Sequence, residues 1–241
     1  MAIKFKYVTP PDNGMQVIFR FLSTILVRLL AKTSVTPNQV TYLRTLIVIY
    51  ALYLFSLGDP ISLLWGVGLF YLFEVLDHVD GDLARFTKQL SKVGPLLEQF
   101  VDTWSSRPSN IFGLCIAIGM YSQSDNVIGF ILFGATAFGR LMWLEYRDYF
   151  GWVKTSKDDV KEYQGVWRAS SPKIFLRNLF EILYIWNNTF LLLAALFYMP
   201  IQLLVDANPL VVAFTVVAIL NNLPWLAIVV RGFSSANDNQ Q

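Results

Sequence analysis

PISLLWGVGLFYLFEVLDHVDGDLAR, residues 60–85, is an apolar run that ends in acids. From Pro60 to Phe73 no residue is charged, and then Glu74, Asp77, Asp80, Asp82 and Arg85 follow within twelve positions. A run of this kind predicts a membrane-spanning helix, because roughly 20 mostly apolar residues cross a hydrocarbon core of ~30 Å. Asp77 lies 17 residues beyond Pro60, about 26 Å along a helix rising 1.5 Å per residue. The acids therefore fall just inside one membrane boundary. Charge is costly there and marks function.

The rest of the chain fits a membrane setting. Of its 241 residues 55% are apolar and only 15% charged, and the mean hydropathy is +0.48. Soluble domains carry about 25% charged residues. A net charge of +2 gives no reason to expect a nucleic-acid partner. The single cysteine, Cys115, excludes an intrachain disulfide and reads as a buried, inert thiol. No cleavable leader is expected, since Arg20, Arg28 and Lys32 interrupt the first apolar stretch.

Six segments reach spanning length: Pro37–Leu57, Pro60–Val79, Pro95–Met120, Val127–Leu144, Ile174–Met199 and Pro209–Val230. The expected fold is an all-α integral membrane domain of six transmembrane helices over residues 1–233, with a disordered tail over 234–241. Thr36-Pro37 with Gln39 reads as a capping box before a first-position proline. Asp59-Pro60, Ser171-Pro172 and Asn208-Pro209 repeat the cap-then-proline pattern. Gly58, Gly151 and Gly232 stand where helix ends are expected. Pro108 and Pro224 predict kinks. Residues 15–32 place Gln16, Arg20, Thr24, Arg28 and Lys32 on one stripe. This predicts an amphipathic helix in the membrane interface with its basic residues toward head groups, or packed on the protein's own surface, or both.

Orientation follows from the basic residues. The short connections 58–59, 121–126 and 200–208 lack Lys and Arg, whereas the N-terminus, 86–94, 146–173 and the tail carry most of them. The positive-inside rule then predicts both termini, and the acid cluster, at the cytoplasmic face.

Asp77 and Asp80 are three apart, and Glu98 and Asp102 four apart, so each pair shares a helix face. Consecutive antiparallel helices bring the pairs to similar depth. Four carboxylates at one contact call for a hard divalent cation, magnesium, manganese or calcium in preference to zinc. Gly81 and Ala84 leave a notch for a base or phosphate, or else simply allow close helix packing. Arg85 offers a fork for a phosphate oxygen. His78, about 100° from Asp77 on the helix, reads as a packing or interfacial residue.

Asp77, Asp80, Gly81, Ala84, Arg85, Gly94, Glu98 and Asp102 resemble the motif D-x2-D-G-x2-A-R-x8-G-x3-D-x3-D of the CDP-alcohol phosphotransferase (CDP-alcohol phosphatidyltransferase) family. The Thr36–Thr41 start, T-P-N-x-x-T, also looks like that family's first helix. One position departs, with Glu98 in place of the third aspartate. The resemblance implies transfer of a substituted phosphate from a CDP-linked donor, such as CDP-diacylglycerol, to an acceptor alcohol with release of CMP, in phospholipid or related phosphodiester synthesis. It implies two Mg2+ or Mn2+ ions held by Asp77, Asp80, Glu98 and Asp102, with Asp102 also the catalytic base. It implies nucleotide contacts from Gly81, Ala84 and Arg85, and a homodimer among membrane lipids. Arg140, Arg147, Lys154 and Lys173 read either as holders of an acceptor phosphate or simply as the basic residues that positive-inside topology places at this face. The competing readings are a catalytically weakened nucleotide-binding relative, suggested by Glu98, and a membrane transporter. The missing repeat and the placement of the charges at one face argue against a transporter.

Overall fold

Thr36 and Pro37 start the first long helix of the chain in the computed structural model, and the predicted capping box forms. The Thr36 amide donates to Gln39 Oε1 at 2.9 Å and the Gln39 amide to Thr36 Oγ1 at 3.4 Å. The structure describes residues 7–9, 16–89, 94–105, 107–149, 187–204 and 207–238. Among them the regular elements are all helical: α1 Gln16–Leu30, α2 Pro37–Leu57, α3 Pro60–Thr87, α4 Gly94–Ser105, α5 Ile111–Ser124, α6 Ile128–Tyr149, α7 Asn187–Leu196, α8 Tyr198–Leu204 and α9 Pro209–Asp238.

Several boundaries have a local cause. α2 ends at Gly58, whose φ of +75° is open to glycine and costly for residues with a Cβ. Asp59 caps α3, with Oδ1 accepting from the amides of Ile61 and Ser62 at 3.2 and 3.0 Å. Hydrogen bonds from Ser62 and the backbone hold the Asp59 carboxyl below the usual carboxylate range. α3 closes at Lys88 in the left-handed region, φ 59°. Asn208 caps α9 through a 2.9 Å bond from the Leu210 amide.

Among the described residues three helices, Pro37–Leu57, Pro60–Thr87 and Ile128–Glu145, are long and apolar enough to cross a membrane. A fourth crossing is possible if Tyr198–Leu204 and Pro209–Leu223, bent by 102°, form one span. The segment expected as one span over Pro95–Met120 is instead two helices, α4 and α5, separated at 106–110. Pro108 explains the break, since it lacks an amide donor and disfavours helical backbone at Arg107. α9 runs to Asp238 and so takes in most of the stretch expected as a disordered tail. Of the span expected over Ile174–Met199, residues 174–186 lie outside the described part.

The chain divides into two units, residues 1–54 with 64–105, and residues 55–63 with 106–241. In the first, α1, α2 and α3 share a core of Val27, Val40, Val75, Leu76, Val79 and Leu83. The outward faces are also apolar. Leu43, Leu46, Ile49 and Tyr50 of α2, and Ile18, Phe21, Leu22, Ile25 and Leu29 of α1, are exposed. An apolar surface this continuous suits lipid contact.

α1 forms where expected, but its stripe is divided. Ser23, Thr24 and Val27 are buried, and Arg20 is almost so. Arg28 and Lys32 are exposed. Arg20 therefore points into the protein rather than toward head groups, for a reason given below.

In the second unit, backbones approach closely at small residues. A Cβ on Gly119 of α5 would lie 2.2 Å from the Phe55 carbonyl oxygen, and one on Gly58 would lie 2.1 Å from that of Gly119. Asn222 Nδ2 of α9 donates to the Ala135 carbonyl of α6 at 3.0 Å, an interhelical bond. Gly119→Val should lower the thermal unfolding midpoint in detergent, at a cost of about 1–3 kcal/mol or more from overpacking. Gly68→Ala, where a Cβ meets nothing within 4 Å, should stay within about 0.5 kcal/mol of the wild type. Equal midpoints for the two variants would contradict the packing described.

Candidate functional site

Asp77 and Asp80 lie one turn apart on α3, and Asp102 lies on α4. All three meet a single buried cation, the guanidinium of Arg44 on α2. Arg44 Nη1 pairs with Asp77 Oδ1 and lies 3.4 Å from Asp102 Oδ1, while Arg44 Nε is 3.1 Å from Asp80 Oδ2. The Arg44 side chain is 0% exposed and Asp102 is 41% exposed. Asp80 also accepts from Thr41 Oγ1 at 2.8 Å. Thr41 is three residues before Arg44, on the same face of α2. Arg44 lies over the Phe73 ring, 5.3 Å from its centroid, which adds a cation–π contact on the apolar side. Glu74, half-buried one turn before Asp77, interacts electrostatically with Asp77, Asp102 and Arg44.

The arrangement solves an electrostatic problem. Three carboxylates close together beside an apolar layer repel and lose hydration, at several kcal/mol per ion. One guanidinium presents five donors in a rigid fork, so it can serve several of them at once. Among the described residues, no three acids form a set that could itself hold an ion, and the guanidinium stands between them. By atom type the carboxylate oxygens suit a hard divalent cation, while those of Asp77, Asp80 and Asp102 here converge on the Arg44 guanidinium.

The other predicted site residues fall as follows. The Glu98 side chain lies outside the described part. Gly81 faces Arg85, and a Cβ there would stand 3.3 Å from Arg85 Nη2 and 3.5 Å from Nη1. The notch expected from Gly81 is thus covered by the guanidinium itself. Arg85 donates from Nη2 to Asp82 Oδ1 at 2.6 Å and remains 56% exposed. Ala84 is half-buried. His78 packs edge-on against Phe19 of α1, with centroids 6.0 Å apart. Arg140 belongs to the second unit and is half-buried. Lys154, Lys173 and the Arg147 side chain lie outside the described part.

Arg44 went unread in the sequence, although a signal was present. It is the only ionisable charge between Pro37 and Leu57, and an arginine inside a spanning segment demands a partner. Asp82 likewise holds no specified place in the motif. Its carboxylate is fully buried and accepts from Thr9, Arg20, Ser23 and Arg85, which is why Arg20 turns inward.

Replacing Arg44 by Met should destabilise the protein by about 3 kcal/mol, the lower end for breaking a buried pair, because Asp102 is partly solvated. Arg44→Lys, which keeps the charge and loses the fork, should fall between. Thermal unfolding in detergent measures both, and an Arg44→Met protein that melts with the wild type would show that the guanidinium does not balance these acids.

A family model for the CDP-alcohol phosphatidyltransferase domain matches residues 34–155. That range holds Arg44 and the whole of Asp77–Asp102. An archaetidylinositol phosphate synthase of Pyrococcus horikoshii is 38% identical over 89 residues, 36% of this chain and 44% of the relative. The match thus spans less than half the length of that curated relative. With half of its residues inside the family model and the three aspartates drawn together there, the chain belongs to the CDP-alcohol phosphatidyltransferase family.

Proposed function

We propose that the protein transfers a substituted phosphate from a CDP-linked donor to an acceptor alcohol, releasing CMP. The observation that carries this reading is the convergence of Asp77, Asp80 and Asp102, from two helices, on one cationic point. Phosphoryl transfer requires positioning and charge neutralisation more than covalent chemistry, and carboxylates gathered from two helices are the ligand type that would hold the divalent ions such chemistry uses. A synthase of archaetidylinositol phosphate among the relatives favours a lipid-linked donor and membership of phospholipid synthesis.

Asp77, Asp80, Glu98 and Asp102 would hold two divalent ions, Mg2+ or Mn2+. Bound there, such ions supply Lewis-acid stabilisation of charge on the donor pyrophosphate. Asp102 is the most solvated of the three aspartates around Arg44. It can therefore receive the proton that the acceptor hydroxyl must lose, as a general base does. Gly81, Ala84 and Arg85 would hold the nucleotide, with the Arg85 fork on a phosphate oxygen. Arg140, Arg147, Lys154 and Lys173 are the residues proposed for a phosphate on the acceptor.

The surrounding architecture in this proposal is one domain of six spans over residues 1–233. Its termini and acids lie at the cytoplasmic face, and it forms a homodimer. α1 lies in the interface with Ile18, Phe21, Leu22, Ile25 and Leu29 toward lipid, which their exposure supports.

Purified protein given a CDP-linked lipid, an alcohol and Mg2+ should release CMP, and EDTA should stop it. Asp102→Asn should lower the rate about 100-fold or more, within the range of a lost general base. No CMP from any CDP-alcohol would end the proposal. Glu98→Asp should keep or raise turnover and Glu98→Ala should cut it severely. Full turnover in Glu98→Ala would remove Glu98 from the ion-binding set, and a wild type revived only by Glu98→Asp would favour the weakened-relative reading.

A further inference from the structure

Asp82 occupies one of the unspecified places in the motif, yet its carboxylate accepts from four side chains. Its side chain is 0% exposed. Oδ1 accepts from Thr9 Oγ1 at 2.6 Å, Arg85 Nη2 at 2.6 Å and Arg20 Nη1 at 3.2 Å. Oδ2 accepts from Ser23 Oγ at 2.8 Å and Arg20 Nη1 at 3.4 Å. Asp82 follows Asp80 by two residues, so it projects about 160° away around a helix of 3.6 residues per turn. It therefore cannot join the acids around Arg44.

Two cations and two hydroxyls around a fully buried carboxylate fix its rotamer, since each charge-assisted bond is short and directional. Three of the four donors come from outside α3. Arg20 and Ser23 stand one turn apart on the inner face of α1, and Thr9 precedes it. The Val8 amide donates to Thr24 Oγ1 at 3.2 Å, which ties the segment bearing Thr9 to α1. The fourth donor, Arg85, is the motif arginine. Its guanidinium lies over Gly81, where a Cβ would stand 3.3 Å from Nη2, and the side chain is 56% exposed.

We propose that Asp82 is a positioning residue, held by Thr9, Arg20 and Ser23, that fixes the Arg85 guanidinium over Gly81 in the attitude in which it receives the phosphate of a cytidine nucleotide. The inference rests on the reading of Arg85 as a nucleotide contact. It gives α1 a part in nucleotide binding, since α1 supplies the donors that immobilise the carboxylate. Pre-fixing a long side chain saves the ordering cost that binding otherwise meets.

The test is CDP binding by calorimetry, with Mg2+, to the full-length protein in detergent. Asp82→Asn and Arg85→Ala should each weaken CDP about tenfold, the loss expected of one charge-assisted hydrogen bond. The double variant should bind no more weakly than Arg85→Ala alone, because Asp82 acts through Arg85. A purely architectural Asp82 would instead add its full loss in the Arg85→Ala background, and that result overturns the inference. Should Asp82→Asn fail to fold, Thr9→Ala with Ser23→Ala keeps every charge and should weaken CDP several-fold, again only while Arg85 is present. A wild type that binds no CDP overturns the reading of Arg85 and this inference together. Wild-type binding that is lost in Arg85→Ala but untouched by the Asp82 and Thr9/Ser23 variants overturns the inference alone.

Discussion

Arg44 is what permits three aspartates to sit beside an apolar layer. Without a cation the carboxylates would have to take up protons or separate, because a buried unpaired charge costs several kcal/mol. Much of the local architecture follows from delivering that one guanidinium. The capping box at Thr36–Gln39 fixes where α2 begins, and hence which residues face α3. Thr41 and Arg44 then meet Asp80 together. Phe73 covers the apolar side of the guanidinium, so the charge is satisfied by acids in one direction and by a ring face in the other.

A second cation–carboxylate contact shapes α1. An amphipathic helix at a membrane surface commonly keeps its basic face in water and its apolar face in lipid. Here Arg20, Ser23 and Thr24 turn toward the protein while Ile18, Phe21, Leu22, Ile25 and Leu29 are exposed. The buried Asp82 carboxylate is the cause, since it needs donors that α3 alone does not provide. Arg28 and Lys32 stay exposed. The polar stripe is thus used in two ways: its middle anchors the helix, and its later basic residues face outward.

The all-helical character of the described residues and the starts of α2, α3 and α9 were legible in the sequence, because these depend on local chemistry. Caps depend on neighbours three residues apart, and proline acts on its own backbone. What could not be read depends on distant partners. Arg44 and Asp80 are joined across 36 positions, and Arg20 and Asp82 across 62, so nothing nearby in the chain announces either pair. The break at 106–110 was half visible. Pro108 was expected to bend one helix, and the structure instead ends α4 at Ser105 and begins α5 at Ile111. A proline removes a hydrogen bond but does not say whether the helix resumes in line.

The helical period explains why one short stretch serves two chemistries. On α3, Asp77, Asp80, Gly81 and Ala84 fall within an arc of about 100°, whereas Val75, Val79 and Leu83 face the opposite side, where the core lies. Asp82 and Arg85 are three apart and fall between those faces, about 60° from each other. Arg85 is therefore adjacent both to the acid face, through Gly81, and to the α1 contact, through Asp82. A residue larger than glycine at 81 would press on the guanidinium from one side. One larger than alanine at 84, a turn beyond Asp80, would stand on the acid face itself. The small residues of the motif are thus placed where bulk would displace either the arginine or what the acids hold, and the residue that steadies the arginine is left to a position the motif does not specify.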